Sequence, residues 1–396
     1  MKQLLIFLLV VKSLFAISLD RLVALTMKNN LELKSFDIRK TKKELEAQKN
    51  SIWADPILGV GVNDISFSKP LKRDLEPMQT QYITLSRVIP TANKLEIKSH
   101  ISSIDAKIQE IEKEELKRVL LSKVIGLSYR YILVKKKIAL LKSSIDIFKK
   151  EQKLLNYLYE SSTLSLEPIL GIKNRIDLKW LKVQELLYIK EQIAKEIEKL
   201  SFVTIKDIEA KSFIKKFKID TYKAINSHPT IRALEQKIES IKSQIELEKA
   251  KKVADIKVGI GYFNRDGFDD YASINFSMPL KITDRESINI KQKRLELNIL
   301  NLKLKNSKHI MKKDIANLKK WLNKSIKNIK ILDKRVLKTN SQLKTLVKEY
   351  AKTTDSNSLK LYKNQNRKIE LELLKIDEMI LYYQAYSKLL YYGGRR

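Results

Sequence analysis

The chain has 396 residues and carries 79 Lys and Arg against 46 Asp and Glu, a formal net charge of +33, with 9 Gly, 7 Pro and no Cys. The missing cysteines exclude disulfides, thiolate metal sites and the acylated cysteine of a bacterial lipoprotein. Scarce glycine and proline beside abundant Lys, Leu, Ile and Glu give a composition for long helices, enough for two or three ordinary domains or one elongated one.

The positive charge raises nucleic acid as a partner, because clustered lysines release counterions from phosphates. Here Lys is spread over almost every segment and interleaved with Glu, as in KKELEAQK and QEIEKEELKR. That pattern reads as solvated helix faces, and no nucleic-acid partner is expected.

The first residues, MKQLLIFLLVVKSLFAIS, join a basic start to a short apolar run and small residues. They predict a secretory signal over 1–18, cleaved after Ala16 or Ser18. The run is interrupted by Lys12 and is too short to span a bilayer, and no later segment approaches the roughly 20 apolar residues of a transmembrane helix.

An amphipathic helix is predicted from Leu19 to Ser51, with a turn at KNNLEL (28–33). WADPILGVGV (53–62) then has a period of two, in which Leu58, Val60 and Val62 alternate with Gly59, Gly61 and Asn63, as in a strand between unlike environments. Its partner strand, QYITLSRVIP, sets Ile83 and Leu85 against Thr84 and Ser86. A long helix is predicted from about Leu95 to Tyr159, on the order of 95 Å. Ile101, Ile104, Ile108 and Ile111 form a heptad seam along it. It ends at YESSTLSLEP, and a return helix begins near Pro168.

A linker over 201–218 leads to a second half on the same plan. Its first helix holds a turn at NSHPTI (226–231), where Pro229 suits a first helical turn. VADIKVGIGY (253–262) repeats the first strand: Ala54, Asp55, Gly59 and Gly61 recur as Ala254, Asp255, Gly259 and Gly261. YASINFSMPL sets Ala272, Ile274, Phe276 and Met278 opposite Tyr271, Ser273, Asn275 and Ser277. A long helix to Tyr350 repeats the heptad spacing at Leu322, Ile326 and Ile329, and after YAKTTDSNSL a return helix runs toward Tyr386. The predicted organisation is a signal peptide over 1–18, a first repeat over 19–200, a linker over 201–218 and a second repeat over 219–396.

Two hairpins cannot close a barrel, and four strands with one apolar face leave two open edges. Several chains sharing one barrel would remove those edges. With the apolar face toward lipid, Gly59, Gly61, Gly259 and Gly261 would face a water-filled lumen beside Ser, Thr and Asn. Trp53, Phe67, Tyr82 and Tyr271 lie near strand ends and fit either an interfacial girdle or ordinary packing. No phosphate-binding loop, H-E-x-x-H or G-x-S-x-G is present, and His100, His228 and His309 are dispersed, so no enzyme activity, cofactor or metal site is expected.

In its ordered series of NNLEL and SHPTI, ADPILGVGV and ADIKVGIGY, RVIPTANKLEIK and SMPLKITDRESI, the chain resembles the TolC-like outer-membrane efflux protein family over essentially the whole mature length. The resemblance implies an α+β membrane protein, with a long α-helical coiled-coil barrel and a transmembrane β-barrel of four strands per chain, closed by trimerisation, on an internal two-fold sequence repeat. It implies a homotrimer in outer-membrane lipid whose periplasmic tunnel meets a periplasmic adaptor and an inner-membrane RND or ABC pump. The function implied is passive exit of cargo in tripartite efflux, the heavy-metal branch included, or in type I secretion. Adaptor-docking tips would fall at Ser161, Ser162 and Thr163 and at Thr353, Thr354 and Ser356. Tips in the family commonly carry glycine, and these do not. Family members often place acidic rings beyond the second tip; this chain has Lys360 and Lys363 there, with Asp355 in the tip and Glu167 after the first tip, as aperture candidates. Solvated charges on the exterior are the plainer reading of each. The alternative function is a structural coiled-coil protein of the periplasm or cell surface.

Overall fold

The structure, a computed structural model, describes residues 16–161, 165–211, 214, 217–350 and 355–393, the side chains of 350 and 355–357 excepted. A strand, β1 (Ala16–Ser18), precedes α1 (Leu19–Asn29), and Ser18 caps that helix, its Oγ accepting from Arg21 N at 3.4 Å. Asn30 leaves the helical region and its Oδ1 accepts Leu33 N at 3.1 Å, which divides α1 from α2 (Leu31–Ser51) at the predicted turn. The hairpin strands β2 (Ile57–Asn63) and β3 (Thr80–Ile89) lead into α3 (Lys94–Glu160), followed by α4 (Glu167–Ser201) with Pro168 in its first turn.

A short strand, β4 (Asp207–Glu209), opens the second part. Asp220 caps α5 (Thr221–Asn226) through Tyr222 N and Lys223 N at 3.0 and 3.1 Å, and α6 (Pro229–Ala250) begins on its proline. Strands β5 (Ile256–Asn264) and β6 (Tyr271–Ser277) precede α7 (Arg285–Ile331), α8 (Leu337–Tyr350) and α9 (Asp355–Tyr391). Two features depart from the sequence-based expectations, and one expectation falls largely outside the described residues. The second long helix is not continuous, because Leu332–Val336 form a π-helical turn between α7 and α8. The linker contains β4, which pairs in parallel with β1. Ala16 and Ser18, the predicted cleavage points, are the ends of β1, while residues 1–15 of the predicted signal lie outside the described residues.

The chain forms two compact units, one of residues up to Leu33, Glu114–His228 and Lys308 onward, the other of Lys34–Lys113 and Pro229–Ser307. In the first unit, α3 buries Tyr131, Val134, Ile138, Leu141, Ile145, Phe148 and Leu155 against Ile172, Ile176, Val183, Leu186, Ile193 and Ile197 of α4. Their spacings of three, four and seven make the seam of a coiled coil. Another face of α3 meets α9. There Tyr129 stacks on Tyr383 with ring centroids 3.7 Å apart, Ser122 Oγ donates to Ser387 O at 2.7 Å, and Gly126 lets Ser387 approach. Tyr382, Tyr383 and Leu389 of α9 are almost wholly buried.

The second unit holds a four-stranded antiparallel sheet in the order β2-β3-β5-β6. Its helices meet through Lys40–Glu110 at 3.1 Å and Lys113–Asp37 at 2.5 Å between α2 and α3, and through Ile241, Ile245 and Ile290 between α6 and α7. One polar corner links the two hairpins. Lys94 Nζ, at the start of α3, donates to Asp255 Oδ1 and to Val253 O, both at 2.6 Å, while Thr91 N donates to the same carboxylate at 2.9 Å. The Lys94 side chain is 7% exposed, so these acceptors replace most of its water. Ala92 and Asn93 take positive φ to turn the chain from strand to helix above this corner.

Asp255→Ala leaves the Lys94 ammonium with carbonyl and hydroxyl acceptors alone. It is expected to cost about 1.5–3 kcal/mol of stability, read as a lowered midpoint in thermal unfolding of the detergent-extracted protein; an unchanged midpoint would show the corner to be dispensable.

Candidate functional site

The register divides the sheet into two unlike faces. One carries Leu58, Val60, Val62, Ile83, Leu85, Val258, Ile260, Tyr262, Ala272, Ile274 and Phe276; the other carries Gly59, Gly61, Thr84, Ser86, Gly259, Gly261, Ser273 and Asn275. The apolar face is open over most of its area, with Val60, Ile274 and Phe276 at 70% exposure or more. Such a surface on a soluble domain would be an interaction or membrane site. No helix among the described residues is long and apolar enough to cross a membrane.

The repeated glycines sit together on the polar face, and their packing has a cause not visible in the sequence. A Cβ on Gly59 would lie 2.6 Å from Thr84 Oγ1, one on Gly61 2.5 Å from Tyr82 Oη, and one on Gly261 2.8 Å from the Phe263 ring; at Gly259 it would press on Asn275 Oδ1. Each glycine thus makes room for a side chain lying across it from the same or the next strand. The structure also revises part of the expected girdle. Tyr82 and Tyr271 lie on the polar face, where Phe263 joins them, 5.7 Å from Tyr82 and stacked at 4.8 Å on Tyr271. Nearness to a strand end does not fix the face a side chain takes; register does. Trp53 packs under the Arg87 guanidinium at 5.0 Å, and Phe67 stands fully exposed in the β2–β3 connection.

In the helical unit, the aperture candidates Glu167, Lys360 and Lys363 are exposed, at the first turn of α4 and near the start of α9. Asp355 and Ser356 lie in the first turn of α9, though their side chains are outside the described residues, as are Ser162, Thr163, Thr353 and Thr354 altogether. Ser161 follows α3, its hydroxyl donating to Leu158 O at 2.9 Å. One acid near this end was missed in the sequence. Glu151 of α3, hidden there in a lysine-rich stretch, is 2% exposed, and its Oε2 accepts no hydrogen bond among the described residues. Burial pushes its carboxyl above the usual carboxylate range, against the pull of Lys363 and Arg175. His228 is also fully buried, its ring 4.8 Å from that of Tyr391, and burial holds it below the ordinary imidazole value. No group of three or more His, Asp or Glu among the described residues is arranged to hold a metal.

No protein-family model matches the sequence, and no curated protein matches it. Solved structures do. A membrane protein from Pseudomonas aeruginosa has a TM-score of 0.78 at 12% identity, over 95% of this chain and 90% of that one. The CmeC outer membrane channel of Campylobacter jejuni has 0.77 at 13%, over 95% and 85%. The open state of the Neisseria gonorrhoeae MtrE outer membrane channel has 0.74 at 13%, over 94% and 88%. The chain therefore has the fold of TolC-like outer-membrane channels, helical for most of its length with a small antiparallel sheet.

Gly61→Ala should push the half-exposed Tyr82 ring aside at a cost below about 1.5 kcal/mol, since the contact is with the far end of its side chain; beside Tyr82→Ala, the same change should cost nothing further in thermal midpoint. Glu151→Gln should behave differently across pH. A carboxyl with a raised folded value contributes most below the ordinary glutamate value, and that contribution is lost as pH rises through the folded value. The variant is therefore expected to unfold at a higher temperature than the parent at pH 7, with the gap closing toward pH 4.

Proposed function

We propose that the chain is the outer-membrane exit duct of a tripartite efflux or type I secretion system. Three copies, each built on an internal two-fold repeat, would share a β-barrel of four strands per chain, with lipid against the Leu58–Val60–Ile260–Phe276 face and water against the glycine and hydroxyl face. The observation that carries this reading is the two-faced sheet whose edges at β2 and β6 pair with no other strand among the described residues, in a chain whose fold matches outer-membrane channels over most of its length. Half-open barrels are not tolerated in lipid, because each unpaired backbone group there costs several kcal/mol.

In this reading the protein is no enzyme. Cargo delivered by an inner-membrane pump through a periplasmic adaptor passes down its own gradient, and binding groups are needed only where the path narrows. The helix ends are the candidate narrow place: Glu167, Lys360 and Lys363 are exposed there, Asp355 is close in sequence, and threefold symmetry would triplicate each charge. The adaptor would dock at the tips around Ser161–Thr163 and Thr353–Ser356. Export by the leader over 1–18 would bring the chain to the periplasm and outer membrane.

The test is the mass of the detergent-extracted protein, by light scattering after separation of inner and outer membranes, followed by conductance in planar bilayers. A trimer in the outer-membrane fraction that opens ion-conducting channels is the expected result. A soluble periplasmic monomer or dimer without conductance would overturn the duct in favour of a structural coiled-coil protein.

A further inference from the structure

The seam inside the sheet is a template for the seam between copies. Within the chain, β3 meets β5 with Thr84 opposite Gly261, Leu85 opposite Ile260 and Ser86 opposite Gly259. The Lys94–Asp255 ion pair at 2.6 Å fixes that register from the corner below.

Each partner in this seam has a counterpart in the other hairpin. Gly59 and Gly259 stand opposite Thr84 and Asn275, so Thr84 answers to Asn275. Counting on from these, Lys94 answers to Arg285, and each is the first residue of its long helix. The correspondence extends to the helix starts, where Asn93 O accepts Ile97 N at 3.1 Å and Asp284 O accepts Ile288 N at 3.0 Å. The path from strand to helix is therefore equally long in both halves, and Asp55 answers to Asp255. Asp255 has its cation within the chain. Asp55 and Arg285 are both exposed, and neither has an ion-pair partner among the described residues.

We propose that β6 of one copy pairs antiparallel with β2 of the next, with Phe276 opposite Val60, Asn275 opposite Gly61 and Ser277 opposite Gly59, and that Arg285 of the first copy binds Asp55 of the second. This rests on the shared-barrel reading above and assigns its residues. The transferred register keeps every pair on its own face: Phe276 with Val60 and Ile274 with Val62 among the apolar residues, Asn and Ser beside glycines that leave them room. A slip of one residue would put Phe276 against glycine on the wrong face. The exposures agree, since Val60 and Phe276 on the outer strands are 72% and 71% exposed, against 54% and 43% for their counterparts Ile260 and Leu85, already paired on both sides.

The absence of native cysteine makes introduced pairs unambiguous reporters. Directly opposed strand residues have Cα atoms about 4.5–5.5 Å apart, within the span of a disulfide. With a membrane-permeant oxidant, Val60→Cys with Phe276→Cys should give covalent oligomers on non-reducing gels. Leu58→Cys or Val62→Cys with Phe276→Cys, each two residues out of register, should leave mostly monomer. Separately, Asp55→Arg and Arg285→Asp should each lower the temperature at which the trimer dissociates in SDS, and the two together should restore it. A trimer that cross-links preferentially through position 58 or 62, or a double variant no better than the singles, overturns this seam while leaving the duct standing. A parent protein that is monomeric in detergent overturns both.

Discussion

The outer edges of β2 and β6 each present a row of backbone N–H and C=O groups that no other strand among the described residues pairs with. In water such edges recruit other strands, and in lipid they are prohibitively costly. Added to an apolar face open along all four strands, they leave the chain with two kinds of unsatisfied surface that share one remedy. In the proposed assembly, closing the sheet on further copies would pair the edges and turn the apolar face into a continuous outer band. The helices are served in part within the chain, because the heptad seam between α3 and α4 and the tyrosine contacts between α3 and α9 bury one face of each, while Leu178, Leu181, Leu295 and Leu302 stay exposed.

Strand and helix are coupled at the corner beneath the sheet. A Lys at the first position of α3 opposes the helix dipole, which favours anions at that end. Lys94 is held there nonetheless, because Asp255 and two further oxygens surround its ammonium. The carboxylate also accepts Thr91 N, so one side chain ties the strand-to-helix turn of one hairpin to the entry of the other. An unfavourable local choice is thereby tied to a tertiary contact that joins the start of α3 to the entry of the second hairpin.

Much of this was legible in residue order. The alternation in ILGVGV and IKVGIGY assigned both faces of the sheet, because a period of two survives any uncertainty about which strand neighbours which. What depended on register was not legible. Tyr82 and Tyr271 look like end-of-strand aromatics until pairing places them with Phe263 on the glycine face. The glycines announced themselves by repetition, but the reason for Gly61 is the Tyr82 ring across it, a neighbour unknown before pairing. The π-helical turn at Leu332–Val336 has no compositional mark, and the parallel pairing of β1 with β4 joins segments too short and too distant to signal each other. Glu151 was hidden for the opposite reason: a glutamate among lysines looks solvated, and only the packing of neighbouring helices withdraws it from water.

The two hairpins share a plan but not their chemistry throughout, and the place where they differ is informative. Near the helices, Gly59 and Gly259 face small polar partners in both, and Asp55 and Asp255 stand at matching corners. Toward the connecting loops the match ends: Tyr82 corresponds to Ser273 and Phe263 to Asn63, so the aromatic group on the polar face runs from β3 across β5 to the edge strand β6 and has no counterpart on β2. The connections differ as well, a long one with exposed Phe67 and Leu71 in the first hairpin and a short Asp270-centred turn in the second, where Arg265 N and Asn264 Nδ2 both donate to that carboxylate. A barrel assembled from such chains would alternate two kinds of hairpin around its rim while keeping one kind of junction at its base. In the proposed duct the base would meet the helical tunnel in the same way at every step, whereas the rim would meet only solvent and lipid headgroups, which place fewer demands on its side chains.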